Sequence, residues 1–238
     1  MDHIAVLASG GLDSCVLIAD LSRTAEVTPV QVSMGLVWEQ AELVALEKFL
    51  AATAHPNIRP LVKLALPVQS LYGEHWSVTG RDVPPAGTPD EEVYLPGRNV
   101  LLFSIVGIWC SLHNVSTMAI GSLSCNPFPD GTPEFFRAFP SVVGMGLNHP
   151  LRVIAPYRGK EKIELISRFA GLPLELTLTC LTPINGSHCG VCSKCGERQQ
   201  AFQDAGIADP TVYDGRPLDR SLSSGHAVFE LQKPGLMP

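Results

Sequence analysis

The sequence predicts an α/β protein built on a doubly wound parallel sheet. Two observations carry this prediction. Apolar stretches that suit buried strands alternate with amphipathic stretches that suit helices, and a glycine-rich turn follows the first apolar stretch directly. Such alternation is typical of βαβ units, in which ligands bind beyond the carboxyl ends of the strands. We therefore expect a functional site where the first strand ends.

Composition narrows the class of protein. The 238 residues are 45% hydrophobic and 17% charged, which is typical of a soluble globular protein. The net charge of −6 argues against nucleic acid or an anionic membrane surface as the main partner. The longest uncharged apolar stretch, residues 101–112, is shorter than the roughly 20 residues of a membrane helix. The first residues lack the pattern of a signal peptide, so we expect a cytoplasmic location.

The first half of the chain contains three predicted strands and two predicted helices. Apolar and β-branched residues predict strands over residues 4–8, 27–34 and 61–66. Amphipathic spacing predicts helices over residues 13–22 and 38–54. Residues 77–95 are polar and rich in proline and glycine, which predicts a long mobile loop that covers the site.

The second half continues the same alternation. Asn99 is suited to cap an apolar helix over residues 100–113. The further predicted elements are strands at 115–121 and 152–155, a helix at 133–147 that is interrupted or kinked at Pro140, helices at 160–170 and 197–205, and an edge strand at 227–231 within a loop-rich tail.

The turn after the first strand has the composition of an anion site. It reads Ser9-Gly10-Gly11-Leu12-Asp13-Ser14. Glycines let the backbone approach an anion closely. The first N–H groups of the following helix are unpaired, and the helix dipole favours negative charge at that end. The Ser9 and Ser14 hydroxyls add donors. The lysine and spacer of a Walker A loop are missing, and the alternative interpretation is a glycine-rich turn without a ligand.

Two cationic residues are candidates for the same site. Arg98 follows a Pro-Gly turn at a helix start, and Lys160 opens a predicted helix. A lysine in a first helical turn opposes the helix dipole unless an anion is present, so Lys160 is a candidate phosphate contact. For both residues the alternative is an ordinary solvated side chain.

Four of the seven cysteines form a cluster near the C-terminus. They are Cys180, Cys189, Cys192 and Cys195, in the spacing Cys-x8-Cys-x2-Cys-x2-Cys. Two overlapping Cys-x-x-Cys turns suit a tetrahedral structural zinc site, and an iron–sulfur cluster is the alternative. His188 is a further candidate ligand. We expect a nucleotide-binding domain over residues 1–175 and a small zinc-binding extension over residues 176–238.

These motifs occur together with Pro96-Gly97-Arg98-Asn99 and Phe128-Pro129-Asp130, and the combination resembles the 7-cyano-7-deazaguanine synthase family of ATP pyrophosphatases. The resemblance implies an adenine nucleotide α-hydrolase-like fold with a zinc-binding extension. It also implies the family reaction, in which ATP adenylates 7-carboxy-7-deazaguanine, ammonia forms the amide, and a second adenylation drives dehydration to the nitrile.

The resemblance also assigns roles to residues. ATP would bind to Ser9, Gly10, Gly11, Leu12, Asp13, Ser14 and Lys160. Asp13, Arg98 and Lys160 would be catalytic, with Asp13 helping to place Mg²⁺. The substrate would contact Arg98, Asn99, Phe128 and Asp130, and the four cysteines would hold zinc. The implied partners are the small-molecule substrate and ammonia, and a homodimer is expected by resemblance alone.

Two stretches depart from the family pattern. Met34-Gly35-Leu36-Val37-Trp38 replaces the usual Tyr-Gly-Gln-Arg-His, and residues 124–135 differ from the usual Asp-Tyr-Ser-Gly-Tyr-Pro-Asp-Cys-Arg-Pro-Glu-Phe. A second hypothesis is therefore an amide ligase that transfers the activated carboxylate to another amine, carried by a protein that docks on the apolar residues 36–38. A third is a nucleotide-binding regulatory module without turnover.

Overall fold

The computed structural model describes residues 1–124 and 126–215. In this part of the chain five strands form one sheet in the order β3-β2-β1-β4-β5, and every pairing is parallel. The strands are β1 (His3–Leu7), β2 (Glu26–Ser33), β3 (Val62–Ala65), β4 (Thr117–Ala119) and β5 (Arg152–Ile154). The chain winds outward from β1 in one direction and then in the other, so the predicted doubly wound sheet is confirmed. The predicted edge strand at 227–231 lies outside the described residues.

The same residues form eight α-helices: α1 (Leu12–Leu21), α2 (Glu39–Ala52), α3 (Gln69–Tyr72), α4 (Trp76–Thr79), α5 (Arg98–Leu112), α6 (Pro133–Leu147), α7 (Lys162–Arg168) and α8 (Ser193–Asp204). Short 3₁₀ turns lie at Asp90–Val93, Pro129–Gly131 and Leu174–Leu176. The α6 helix is continuous across Pro140, so the predicted interruption is wrong, whereas the alternative of a kink stays a prediction. Pro140 is buried, and its packing offsets the hydrogen bond that proline removes. No described helix is long and apolar enough to span a membrane.

Both faces of the sheet are buried, as expected for parallel strands. Alternate residues of β1 point to opposite sides, so Ile4 and Val6 pack with α1 and α7, whereas Ala5 and Leu7 pack with α5 and α6. A third cluster joins buried residues after β2 to the four cysteines. The three clusters together fix the carboxyl ends of the central strands.

The start of α5 differs from the prediction. Arg98 is its first residue and Gly97, with a φ of 72°, is the N-cap, so Asn99 lies inside the first turn. The Asn99 backbone N–H donates to Asp130 Oδ2 at 2.8 Å, and its side-chain amide donates to the Asp130 carbonyl at 2.9 Å. Asp130 therefore has the capping role that the sequence predicted for Asn99, because its carboxylate accepts a first-turn N–H group that has no partner within its own helix.

The start of α7 also differs. Glu161 is the N-cap, and Glu161 and Glu164 form a reciprocal capping box in which the Glu164 carboxylate accepts the Glu161 N–H at 2.9 Å. Lys160 precedes this cap in a turn closed by its N–H to the Tyr157 carbonyl at 2.8 Å. The helix thus begins at Lys162, two residues later than predicted, because the capping box fixes its first turn.

The segment predicted as a mobile loop is attached to the cysteine segment. The Ala86 N–H donates to the Val191 carbonyl at 2.9 Å, and the Ser193 N–H donates to the Pro84 carbonyl at 3.0 Å. Val93 and Leu95 are buried in the cluster that contains the cysteines. The segment therefore forms a layer over the carboxyl edge of the sheet.

Candidate active site

A cavity of about 350 Å³ opens at the carboxyl ends of β1 and β4. Ser9 and Asp13 line it after β1, and Gly121 and Ser122 line it after β4. The order in which the chain adds strands to the sheet reverses at β1 and β4, which is where doubly wound sheets bind ligands. Tyr94 and Leu95, from the segment over the sheet edge, also line the cavity. A cavity therefore lies where the sequence predicts the site, and part of the predicted covering segment lines it.

The glycine-rich turn is a compact loop whose shape depends on Gly10. Gly10 has a φ of 96°, and a Cβ atom there would lie 2.2 Å from the Glu42 carbonyl oxygen. The Ser9 hydroxyl accepts the Gly11 N–H at 3.1 Å, and the Ser14 hydroxyl donates to the Gly11 carbonyl at 3.0 Å. Ser9, Gly11, Leu12, Asp13 and Ser14 line the cavity. Gly10 is not among the described residues that line the cavity; it allows the loop to pack against α2.

Asp13 lies close to a lysine on the same wall of the cavity. Asp13 Oδ2 lies 3.6 Å from Lys162 Nζ, whereas Asp13 Oδ1 is buried without a hydrogen-bond partner in the described part of the chain. Burial raises the pKa of Asp13, and Lys162 opposes the shift. A buried carboxylate oxygen without a partner is suited to ligate a divalent cation, so this loop fits Mg²⁺.

The two lysines near the start of α7 have different surroundings. Lys162 has only 10% of its side chain exposed and forms an ion pair with Glu197 as well as contacting Asp13. The Lys160 side chain is 50% exposed, its Nζ lies 3.3 Å from Glu164 Oε1, and it is not among the described residues that line the cavity. The structure therefore brings Lys162, and not Lys160, to the glycine-rich loop.

A second carboxylate and a second lysine extend this wall of the cavity. Glu197 Oε2 accepts a hydrogen bond from Lys194 Nζ at 2.7 Å, and both residues belong to α8, which also carries Cys195. Burial alone would raise the pKa of Glu197, but the ion pairs with Lys162 and Lys194 lower it to about 2. Glu197 is therefore an anion between two cations. Nothing in the local sequence pattern shows that α8 reaches the cavity, so Glu197 was not predicted to lie at the site.

The four residues proposed to bind substrate lie together. Arg98, Asn99, Phe128 and Asp130 all line the cavity. The Phe128 ring stacks on Tyr94 with ring centres 4.9 Å apart. Arg98 Nε is buried without a hydrogen-bond partner among the described residues. A guanidinium of this kind is suited to bind a carboxylate or a carbonyl oxygen.

The start of α2 adds Trp38, Glu39 and Glu42 to the cavity lining. Trp38 was predicted as part of a docking surface, and neither glutamate was predicted to lie at the site. The Glu39 carboxylate accepts the backbone N–H groups of Met34 and Gly35 at 2.8 to 2.9 Å and so fixes the bend after β2. Glu42 makes no hydrogen bond or ion pair through its carboxylate within the described residues. Burial raises the pKa of Glu42 to about 8, the Arg98 guanidinium opposes this shift, and Glu39 adds to it. The i, i+3 spacing of the two glutamates in a predicted helix was the available signal.

The apolar residues after β2 do not form a docking surface. Leu36 and Trp38 are only 5% and 3% exposed, and Trp38 stacks on Trp76 with ring centres 5.6 Å apart. Only Val37 of the three is exposed, at 41%. The predicted apolar docking surface at residues 36–38 is therefore wrong, because Leu36 and Trp38 are buried and Trp38 lines the cavity.

The four cysteines converge as their spacing predicts. All are buried, and their sulfur atoms lie within 4.8 Å of one another. The Cys189–Cys195 and Cys180–Cys192 sulfur distances are 3.9 and 4.0 Å. A tetrahedral zinc ion with Zn–S bonds of 2.3 Å requires sulfur atoms roughly 3.8 Å apart, so the donor set fits zinc. His188 is turned away from this role, because its Nε2 accepts the Thr179 N–H at 2.9 Å.

A family model described as "Queuosine biosynthesis protein QueC" matches residues 3–206. The chain belongs to the QueC family. The 7-cyano-7-deazaguanine synthase of Methanothermobacter thermautotrophicus is 30% identical over 90% of this chain and 99% of its own length. The 7-cyano-7-deazaguanine synthase 1 of Sphingopyxis alaskensis is 29% identical over 88% and 97%, and the Coxiella burnetii synthase is 29% identical over 90% and 98%.

Membership of the QueC family confirms the resemblance stated from the motifs. The matched residues 3–206 include both the glycine-rich loop and the cysteine cluster, which are in direct contact in the structure. The Leu178 N–H donates to the Gly10 carbonyl at 2.8 Å, and the Leu12 N–H lies 3.5 Å from the Thr179 hydroxyl oxygen. In this QueC-family enzyme, the residues that precede Cys180 therefore support the loop.

Proposed function

We propose that this QueC-family chain converts 7-carboxy-7-deazaguanine to 7-cyano-7-deazaguanine with ATP and ammonia. One observation supports this most strongly. The glycine-rich loop, Lys162 and the Arg98-Asn99 turn line a single cavity at the reversal point of the sheet, in a chain that the family model covers almost entirely. The wall with the loop suits phosphates, and the wall with Arg98 suits a carboxylate.

The reaction comprises two activations. The substrate carboxylate attacks the α-phosphorus of ATP, which forms an acyl adenylate and releases pyrophosphate. Ammonia attacks the acyl carbon and expels AMP, which gives the amide. The amide oxygen then attacks a second ATP, again releasing pyrophosphate, and loss of AMP with two amide protons leaves the nitrile. The overall requirement is two ATP for each nitrile.

The chain's own residues would stabilise the charge that develops on the phosphates. The loop N–H groups and the Ser9 and Ser14 hydroxyls would bind phosphate oxygens, and Lys162 takes the role that the sequence suggested for Lys160. Arg98 would orient the carboxylate toward the phosphate, with Asn99, Phe128 and Asp130 beside it. Such preorganised donors lower the barrier because no reorganisation is needed when charge develops. Positioning suffices for ammonia, which is already a nucleophile.

Two metal ions complete the proposal. Asp13 would hold Mg²⁺, which neutralises phosphate charge when bound. The cysteine cluster would hold a structural zinc ion, because it has four sulfur donors and therefore no open position for substrate. A cytoplasmic location, a homodimer and the domain boundary after residue 175 stay predictions.

The test is to incubate the purified chain with Mg-ATP, 7-carboxy-7-deazaguanine and ammonium and to measure AMP and product mass together. We expect the nitrile mass and two AMP per product. One AMP with an amide as the final product would replace the synthase by an amide ligase. AMP production that does not depend on the carboxylate would overturn the assigned substrate.

A further inference from the structure

A row of alternating charges follows one wall of the cavity, from the glycine-rich loop to the segment that covers it. Its members, in spatial order, are Asp13, Lys162, Glu197, Lys194 and Asp90, and all five line the cavity. The proposed function uses the first two. The remaining three form a charged surface to which the adenylation chemistry assigns no role so far.

Lys194 and Lys162 bind the two oxygens of one carboxylate. Lys162 pairs with Glu197 Oε1, and Lys194 Nζ donates to Glu197 Oε2 at 2.7 Å. The two ammonium groups therefore lie side by side on the same wall. Lys194 stands between Cys192 and Cys195 at the start of α8, so the cysteine cluster fixes its backbone.

The outer contact of Lys194 is weak. Its Nζ lies 3.6 Å from Asp90 Oδ1, and the Asp90 side chain is 43% exposed. Exposed ion pairs contribute little, whereas hydrogen bonds between an ammonium group and phosphate oxygens are charge-assisted and stronger. If a phosphate oxygen replaced the Asp90 carboxylate as the outer partner of Lys194 Nζ, the stronger hydrogen bond would favour phosphate binding.

We propose that Lys194 is a second phosphate-binding residue, which contacts the terminal phosphates of ATP and the pyrophosphate leaving group beside Lys162. This inference rests on the proposed use of ATP. Glu197 is then a positioning residue that holds the two lysines together. The alternative is a purely structural role, in which Lys194 links the covering segment to α8 through its ion pair with Asp90.

Nucleotide binding separates the two roles, because AMP lacks the terminal phosphates. The affinities of Mg-ATP and AMP are measured by calorimetry on the zinc-loaded full chain, without the carboxylate substrate. We expect Lys194→Met to weaken ATP binding about tenfold and to leave AMP binding within about twofold of wild type. Lys194→Arg keeps the charge and should retain most of the ATP affinity. Lys160→Met is the matched control, because Lys160 is a nearby lysine outside the cavity lining.

The outcomes distinguish this inference from the proposed function. Equal loss of ATP and AMP affinity in Lys194→Met, or no loss of either, would overturn the role of Lys194 while the wild-type preference for ATP stands. A wild type that binds ATP no better than AMP would overturn the nucleotide site itself. Zinc content and melting temperature, measured for each variant, show that the comparison is between folded proteins.

Discussion

At the residue scale, two lysines separated by one position have opposite environments. The helix dipole predicts that a lysine at this helix start contacts an anion, and the sequence pattern indicated Lys160, but Lys162 is the lysine that lines the cavity. The helix start depends on the Glu161–Glu164 capping box, and a shift of two residues turns a side chain to the other side of a helix. Local pattern thus predicts the kind of residue and the element, whereas the cap determines which lysine enters the cavity.

This difference gives a matched pair of variants. We expect Lys162→Met to lower kcat/KM for AMP formation about 100-fold or more, because a cation aimed at developing phosphate charge is lost. Lys160→Met should stay within about twofold of wild type. The measurement is steady-state AMP release at saturating ammonium. Equal losses in the two variants would contradict the assignment of Lys162.

Glu42 illustrates what a sequence does not reveal at this scale. Its helix was predicted, but its burial depends on the packing of the glycine-rich loop against α2. Because its pKa rises from 4.5 to about 8 on folding, the folded chain keeps this proton to higher pH than the unfolded chain. The associated stability is complete below pH 4.5 and is lost as the pH rises through 8.

Glu42→Gln removes this dependence. Between pH 6 and pH 8, the free energy of unfolding of the wild type should fall relative to that of the variant by at most about 1.4 kcal/mol per pH unit. Urea unfolding of both proteins at the two pH values measures the difference, and contributions from other groups cancel. A difference that does not change with pH would mean that Glu42 titrates normally.

At the element scale, α8 is held by an internal arginine. Arg198 is fully buried, and its guanidinium donates to the Leu174 carbonyl at 2.8 Å and to the Thr177 hydroxyl at 2.9 Å. Its Nε donates to the Thr211 hydroxyl at 2.7 Å. The helix carries Cys195, so the same contacts place the cysteine cluster. The sequence predicted this helix from its pattern, but the partners of Arg198 are loop residues that no periodicity identifies.

Removal of this guanidinium should lower the stability of the fold. We expect Arg198→Met to lower the free energy of unfolding by about 3 kcal/mol, because the buried guanidinium loses three hydrogen bonds that join α8 to two loops. Chemical denaturation measures this loss. Arg81→Met is the control, since Arg81 is 72% exposed and pairs with the exposed Glu74. A loss no larger than that of the control would contradict the anchoring role.

At the scale of the whole molecule, the order of strands and helices followed from periodicity, because a parallel sheet with two buried faces permits few arrangements. The contact between the glycine-rich loop and the cysteine cluster did not follow from periodicity. Leu12 and Thr179 are 167 residues apart in the chain, and their contact depends on the path of the chain between them. The sequence therefore predicted a phosphate loop and a metal cluster as separate features, whereas the structure joins them.

This junction predicts that the metal affects nucleotide binding. Removal of zinc with a chelator should release the residues before Cys180, and so weaken the hydrogen bond from the Leu178 N–H to the Gly10 carbonyl that supports the loop. We expect a lower melting temperature and an ATP affinity reduced at least several-fold, both restored by added zinc. Calorimetry with ATP and metal analysis of the same samples measure the two effects.

A variant separates metal loss from an effect of the chelator. Cys192→Ser removes one of the four sulfur donors, and it should reproduce both the metal loss and the weaker ATP binding. Cys110→Ala is the matched control, since Cys110 is buried in α5 away from the cluster and should leave the zinc content unchanged. Loss of zinc with unchanged ATP affinity would show that the loop keeps its shape without the cluster. In that case the pairing of β1 in the sheet and the packing of α1 against the sheet would suffice to hold the loop.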